Sequence, residues 1–265
     1  MFRILQSVSC SGGLKNLDSI YTSSDCVLLL DGSTPLQNGA YDACKFNSDF
    51  ISAFLKHLRG GVELTDAINF SVDELFECFK TQNREYGLEY YPSSTLVIAV
   101  EDGEDLKIVC IGDSAAAVIM KDNSRVMINC DSVKRLDNQV IERLAQIRKE
   151  TNMDICEAVK LSEIKNMMIE NRKKMNIAGG YEILSFGMRK LSENDARSFK
   201  RSQVARVIFY SDGFDALAEE LTLDDANLNI LYEKLRREEN DDILLNKNPR
   251  FKVSDDASAI IFELE

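Results

Sequence analysis

One histidine, His57, is all the imidazole in this chain, and tryptophan is absent. The seven cysteines contain no CxxC pair, and with a single histidine their spacing argues against a zinc site. There is no GxSxG elbow for a serine nucleophile and no Walker phosphate loop. No apolar run reaches the length needed to span a bilayer, and Met1–Gln6 lacks a signal-peptide layout. Basic residues are also in deficit: 32 Lys and Arg stand against 44 Asp and Glu, a net charge of -12, which repels a phosphate backbone and argues against nucleic acid. Scattered, odd-numbered cysteines beside apolar runs read as reduced core thiols, and hence a cytoplasmic protein without a membrane segment.

What the chain has is carboxylate at the ends of strand-like runs. Leu28-Leu29-Leu30 delivers Asp31-Gly32, Phe209-Tyr210-Ser211 delivers Asp212-Gly213, and Asp255-Asp256 precedes the apolar run Ala259–Phe262. Acids at strand rims, far apart in sequence and adjacent in space, suit a hard cation such as magnesium or manganese, which prefers oxygen ligands. A single Asp-Gly after a strand is usually an ordinary turn. Only the ordered set carries weight.

Between these points the periodicity changes. Phe46, Phe50, Phe54 and Leu58 recur every four residues in a helix predicted over Gly39–Leu58 and ended by Gly60-Gly61. Ser71-Val72-Asp73-Glu74 reads as a capping box opening a second helix. Ser94–Val100 and Leu106–Met120 read as a hairpin around Asp102-Gly103, with a bend or second hairpin at Gly112-Asp113 and a return strand at Arg125–Asn129. Ser132–Met175 reads as charged helix, Tyr181–Phe186 and Val204–Tyr210 as strands, Leu223–Arg237 as helix and Ala257–Leu264 as the closing strand. The expected class is α+β: two antiparallel β-sheets packed together with helices on their outer faces.

In order along the chain, Asn16-Leu17-Asp18, Leu30-Asp31-Gly32, Ser93-Ser94-Thr95, Gly112-Asp113-Ser114, Ser211-Asp212-Gly213 and Asp255-Asp256-Ala257-Ser258 resemble the six motifs of the protein phosphatase 2C family, metal-dependent serine/threonine phosphatases of the PPM type. The resemblance implies one domain over residues 1–265, an αββα four-layer sandwich, and hydrolysis of phosphomonoesters on protein substrates. It implies two Mn2+ or Mg2+ ions between the sheets and a third, weaker one. Asp31 would bridge the pair, the Gly32 carbonyl would ligate one ion, Asp212 and Asp255 the other, and Asp113 the third. Asp18 would act through water, as a catalytic residue beside Asp31. The charged helical insertion at about 131–180 falls where bacterial members carry a mobile flap that meets substrate; a solvated helical pair is the alternative.

Three positions depart from the family pattern. Gly13 stands where many members have an arginine that grips phosphate, Ser33 where many eukaryotic members have a histidine, and Asp256 where an asparagine is usual. Loss of the arginine motivates a second expectation, a catalytically weak or inactive relative serving as a binding or scaffold module. Asp256 leaves two acids competing for the role of last ligand.

Overall fold

The structure, a computed structural model, describes residues 1–34, 42–82, 87–130, 132–240 and 251–265. Twelve strands are seen among these residues. One sheet runs in the order β1 (Phe2–Cys10), β12 (Ala257–Leu264), β11 (Val204–Tyr210), β7 (Ala115–Met120), β8 (Arg125–Ile128). The other runs β10 (Arg197–Lys200), β6 (Asp105–Ile111), β5 (Leu96–Asp102), β3 (Cys26–Leu30), β2 (Ser19–Thr22), and β4 (Ser93–Ser94) pairs with β9 (Leu184–Ser185). Every strand pairing is antiparallel.

Successive side chains of a strand point to opposite faces, and this parity builds the layers. Val27 and Leu29 of β3 join Val207 and Phe209 of β11 and Ile260 and Phe262 of β12 in a core between the sheets. Leu28 and Leu30 face the other way, onto Phe46, Phe50 and Phe54 of α1 (Ala43–Arg59) and Ile68, Val72 and Leu75 of α2 (Leu64–Gln82). Ile208 and Tyr210 face Leu221, of α6 (Ala218–Leu221), and Leu231 and Leu235, of α7 (Leu228–Asn240). The result is the expected four-layer αββα sandwich. It also explains why the central strands read as unbroken apolar runs: both of their faces are covered.

Several expectations need correction. Ser71 does not open a helix; α2 begins at Leu64, and the buried Ser71 hydroxyl donates to Ala67 O at 2.6 Å, inside the helix. Gly112-Asp113 makes the expected bend but no hairpin, because β6 and β7 belong to different sheets. Of Tyr181–Phe186 only Leu184–Ser185 pairs as a strand, and the helix expected from Leu223 starts at Leu228. All seven cysteines are free, yet only Cys26 is buried, and Cys78 and Cys156 are exposed, so most are not core thiols. Gly39–Tyr41, in the predicted first helix, and residue 131 of the predicted insertion lie outside the described residues.

Between β8 and β9 the chain forms α3 (Ser132–Thr151), α4 (Ile155–Ala158) and α5 (Ser162–Arg172). Val140, Leu144 and Ile147, spaced for one face of α3, pack with Ile155 of α4 and Ile164 of α5 in a small core of their own. Leu136, Met175, Tyr181 and Ile183 form a second cluster beside it. The inner side of this insertion carries Val133, Asp137, Met168 and Arg172 onto the wall of the cavity described next. Among the described residues no helix is long and apolar enough to cross a membrane.

Candidate functional site

Antiparallel register brings the distant acids to one rim. The end of β3 runs beside the start of β5, and Asp31 O accepts hydrogen bonds from Thr95 N (2.8 Å) and Ser94 Oγ (2.7 Å). Ser19 of β2 pairs with Leu30, which places Asp18 next to Asp31. In the other sheet Tyr210 pairs with both Ala115 and Ala259, so the turn after β11 faces the residues preceding β7 and β12. Asp31, Gly32, Asp113, Asp212 and Asp255 thereby line one cavity of about 220 Å³. Asp18 is behind it, buried, with Ser211 Oγ donating to its Oδ2 at 3.0 Å.

Two glycines set how closely this rim closes. A Cβ on Gly32 would come within 2.7 Å of Leu17 O and 2.8 Å of Ala43 Cβ. One on Gly213 would lie 2.1 Å from Asp256 O, so the turn after β11 packs against the start of β12 only without a side chain there.

Asp255 and Asp256 divide their work. Both Asp256 oxygens are taken by the loop between β1 and β2: Oδ1 accepts from Gly12 N (2.9 Å) and Ser11 Oγ (3.3 Å), Oδ2 from Leu17 N (2.7 Å). Because N–H groups meet both oxygens, a carboxylate serves here where an asparagine amide would set donor against donor. Asp255 faces the cavity, with its Oδ1 held by Lys252 Nζ at 2.5 Å.

Gathering acids in this way is costly, and their protonation shows it. Burial, then the charges of Asp18, Asp212, Asp113 and Asp255, pushes the Asp31 carboxyl well above the usual carboxylate range. Burial, then Asp255 and Asp113, does the same to Asp212, against a hydrogen-bond contact with Asp31 that lowers it. Asp18 rises to about 6, chiefly by burial, opposed by hydrogen bonds from Ser258 and Ser211. Asp113 rises to about 6 for the same first reason, with Lys134 opposing. The buried Asp18 Oδ1 has no hydrogen-bond partner. Among the described residues, no three His, Cys, Asp or Glu side chains already converge on a point as a metal cage. The acids are collected around a space without being closed on it.

Sequence reasoning missed several groups here. Asp137 of α3 lines the cavity and is pushed to about 7 by burial and then by Asp113. Lys134 pairs with Asp215 at 2.7 Å beside an adjoining cavity that shares Asp113, Asp212 and Asp255. Arg172, the last residue of α5, reaches the rim of the sandwich: Nη2 donates to Ser33 Oγ (2.8 Å) and Thr34 O (3.1 Å), Nη1 to Ser33 Oγ (3.1 Å) and Ser93 Oγ (3.3 Å). Asp215 could have been suspected from its place one turn past Asp212. Arg172, inside the run Asn171-Arg172-Lys173-Lys174, carries no signal of its own.

No protein-family model matches the chain, and no curated protein sequence matches it. Solved structures do. The Mycobacterium tuberculosis serine/threonine phosphatase PstP/Ppp superposes with a TM-score of 0.56 at 18% identity, over 100% of this chain and 99% of that one. The catalytic domain of PstP in complex with two manganese ions gives 0.53 at 16%, over 99% and 97%. Stp1, a serine/threonine phosphatase from Staphylococcus aureus, gives 0.51 at 16%, over 98% and 94%. The chain has the fold of the PPM-type serine/threonine phosphatases, and the likeness spans nearly its whole length.

Proposed function

We propose that this chain is a metal-dependent phosphomonoesterase of the PPM type, acting on phosphoserine or phosphothreonine in proteins, with the chain as one domain and its helical insertion as a flap over the site. The observation that carries this reading is the convergence of Asp31, Asp113, Asp212 and Asp255, from four separate parts of the sequence, on one cavity. An all-oxygen donor set suits Mn2+ or Mg2+, and the raised carboxyls together with the orphaned Asp18 Oδ1 are what such a set looks like without a cation to neutralise it.

In this reading Asp31, the Gly32 carbonyl, Asp212 and Asp255 hold two ions, Asp113 a third, and Asp18 orients water. When bound, the ions supply Lewis acidity and lower the pKa of water towards neutrality. Ser94 and Thr95 fix the backbone of Asp31, and Ser211 fixes the Asp18 carboxyl. Asp256 holds the loop that carries Asp18. The seven free cysteines support a cytoplasmic setting.

Metal-dependent release of phosphate by the purified chain tests the proposal, and Asp31→Ala should reduce it by at least about a thousandfold. With Ser33 where a histidine acid is common, aryl phosphates, whose leaving group needs no proton, should be cleaved faster than phosphoserine peptides. A positioned acid typically contributes about 10²–10⁴-fold. A clear preference for the serine ester would refute that inference. Gly13 and the Lys252 ammonium on Asp255 favour a second reading, a binding module with little catalysis. Manganese calorimetry separates the two: tight binding without turnover supports the module.

A further inference from the structure

Gly13 leaves the loop between β1 and β2 without a guanidinium. Among the described residues, no atom beyond Gly13 and its chain neighbours lies within 4 Å of where a Cβ on Gly13 would stand. The neighbouring Lys15 is engaged by Asp42 at 2.7 Å. In the phosphomonoesterase reading the ions would offset the charge of the acids, and a guanidinium would add what they lack, paired donors that orient the phosphoryl oxygens.

Of the two cationic side chains on the cavity wall among the described residues, Lys252 is held by Asp255. Arg172 is different. Its four hydrogen bonds all go to uncharged oxygens, those of Ser33, Ser93 and Thr34. Among the described residues no carboxylate forms an ion pair with it, and its Nε is buried without a partner. In contrast Arg143, Arg189, Arg206 and Arg236 each take a carboxylate. A guanidinium brought out of bulk water and left un-neutralised is expensive unless an anion meets it. The hydroxyls of Ser33 and Ser93 orient the planar fork, and the one carboxylate among the described residues whose charge is felt by it, Asp137 on the same wall, makes no ion pair with it and is itself pushed up to about 7 by burial. Such a fork can match two oxygens of a phosphoryl group.

We propose that Arg172 is the phosphate-gripping guanidinium of this site, delivered by the helical insertion instead of by the loop that holds Gly13. The inference rests on the phosphomonoesterase reading and makes the insertion part of the substrate site. Its rival is a purely structural Arg172 that docks α5 on the strand rim.

The test is titration of inorganic phosphate into the magnesium-loaded full chain by calorimetry, for wild type, Arg172→Gln and Arg172→Lys, with magnesium affinity measured in parallel. Phosphate affinity should fall about ten- to hundredfold in Arg172→Gln and by a smaller factor in Arg172→Lys, which keeps the charge and loses the fork. Magnesium affinity should stay within about twofold, and the KM for an aryl phosphate should rise with the phosphate constant. Should Arg172→Gln fail to fold, the Arg172→Lys result decides. Ser33→Ala separates the rival, for it removes two of the four docking bonds and spares the guanidinium, which Ser93 Oγ and Thr34 O still orient, so phosphate affinity should change far less than in Arg172→Gln. Equal phosphate affinity in wild type and the folded Arg172 variants overturns the inference, as does a Ser33→Ala loss as large as that of Arg172→Gln. Failure of the underlying reading looks different: wild type itself neither binds magnesium nor releases phosphate.

Discussion

The rim of the sandwich and the helical insertion above it are built on opposite principles. At the rim each acid follows from strand register: Asp31, Asp113, Asp212 and Asp255 are placed because their strands pair antiparallel and end together. Each of these strands is covered on two faces, so the acids rest on the best-packed part of the molecule. The insertion has only a small core of its own around Val140, Leu144 and Ile147. It meets the rim through a few side chains, Arg172 foremost. The comparison teaches that the acids of the rim are fixed by the architecture, while the contribution of the insertion depends on how a lesser unit is docked.

The strongest way to break this contrast is to weaken each core in turn. Phe209→Ala empties a fully buried position between the sheets and should cost about 3–5 kcal/mol of global stability, read as a lowered denaturation midpoint. Leu144→Ala should instead loosen the insertion alone. Amide exchange should accelerate over Ser132–Arg172 and leave Cys26–Leu30 and Val204–Tyr210 protected. Equal acceleration in all three would show one cooperative unit and remove the distinction.

A smaller effect sharpens the rim itself. Asp256→Ala strips the partners from Gly12 N and Leu17 N, and should cost about 1–3 kcal/mol while weakening manganese binding only modestly, because Asp255 remains. Loss of manganese binding as complete as in Asp31→Ala would reassign the ligand to Asp256.

The mildest test is pH. Asp18 and Asp113, raised to about 6, and Asp137, raised to about 7, bind protons more readily folded than unfolded, where a carboxyl titrates near about 4. Their contribution to stability is therefore complete below about pH 4 and is lost as pH rises through 6 to 7. Metal-free protein should melt several degrees higher at pH 5 than at pH 7.5. Added magnesium should raise the melting temperature at pH 7.5 and do less at pH 5, where protons compete for the same oxygens. A flat or inverted profile would mean that these acids are not crowded together.

The same contrast explains what could be read in advance. Central strands such as Val204–Tyr210 and Ala257–Leu264 announce themselves by continuous apolar runs, and the acids are legible because each marks a strand end. β1, β2 and β10 went unseen. They are edge strands with much of their length exposed, so neither a continuous nor a clean alternating pattern marks them. The Ser71 capping box misled because its hydroxyl satisfied a carbonyl within a longer helix. Of the site, the carboxylates were visible and Arg172 and Asp137 were not. These two lie on helices whose charge patterning resembles any solvated face, and only tertiary docking tells them apart from their neighbours.

The five residues of β3 alternate between two cores, Leu28 and Leu30 towards the helices, Val27 and Leu29 towards the opposing sheet. Deleting one residue from that stretch would exchange the two sets and draw Asp31 back along the strand by about 3.3 Å, away from its companions. The number of residues between those packed leucines and the acid is therefore fixed by two cores at once.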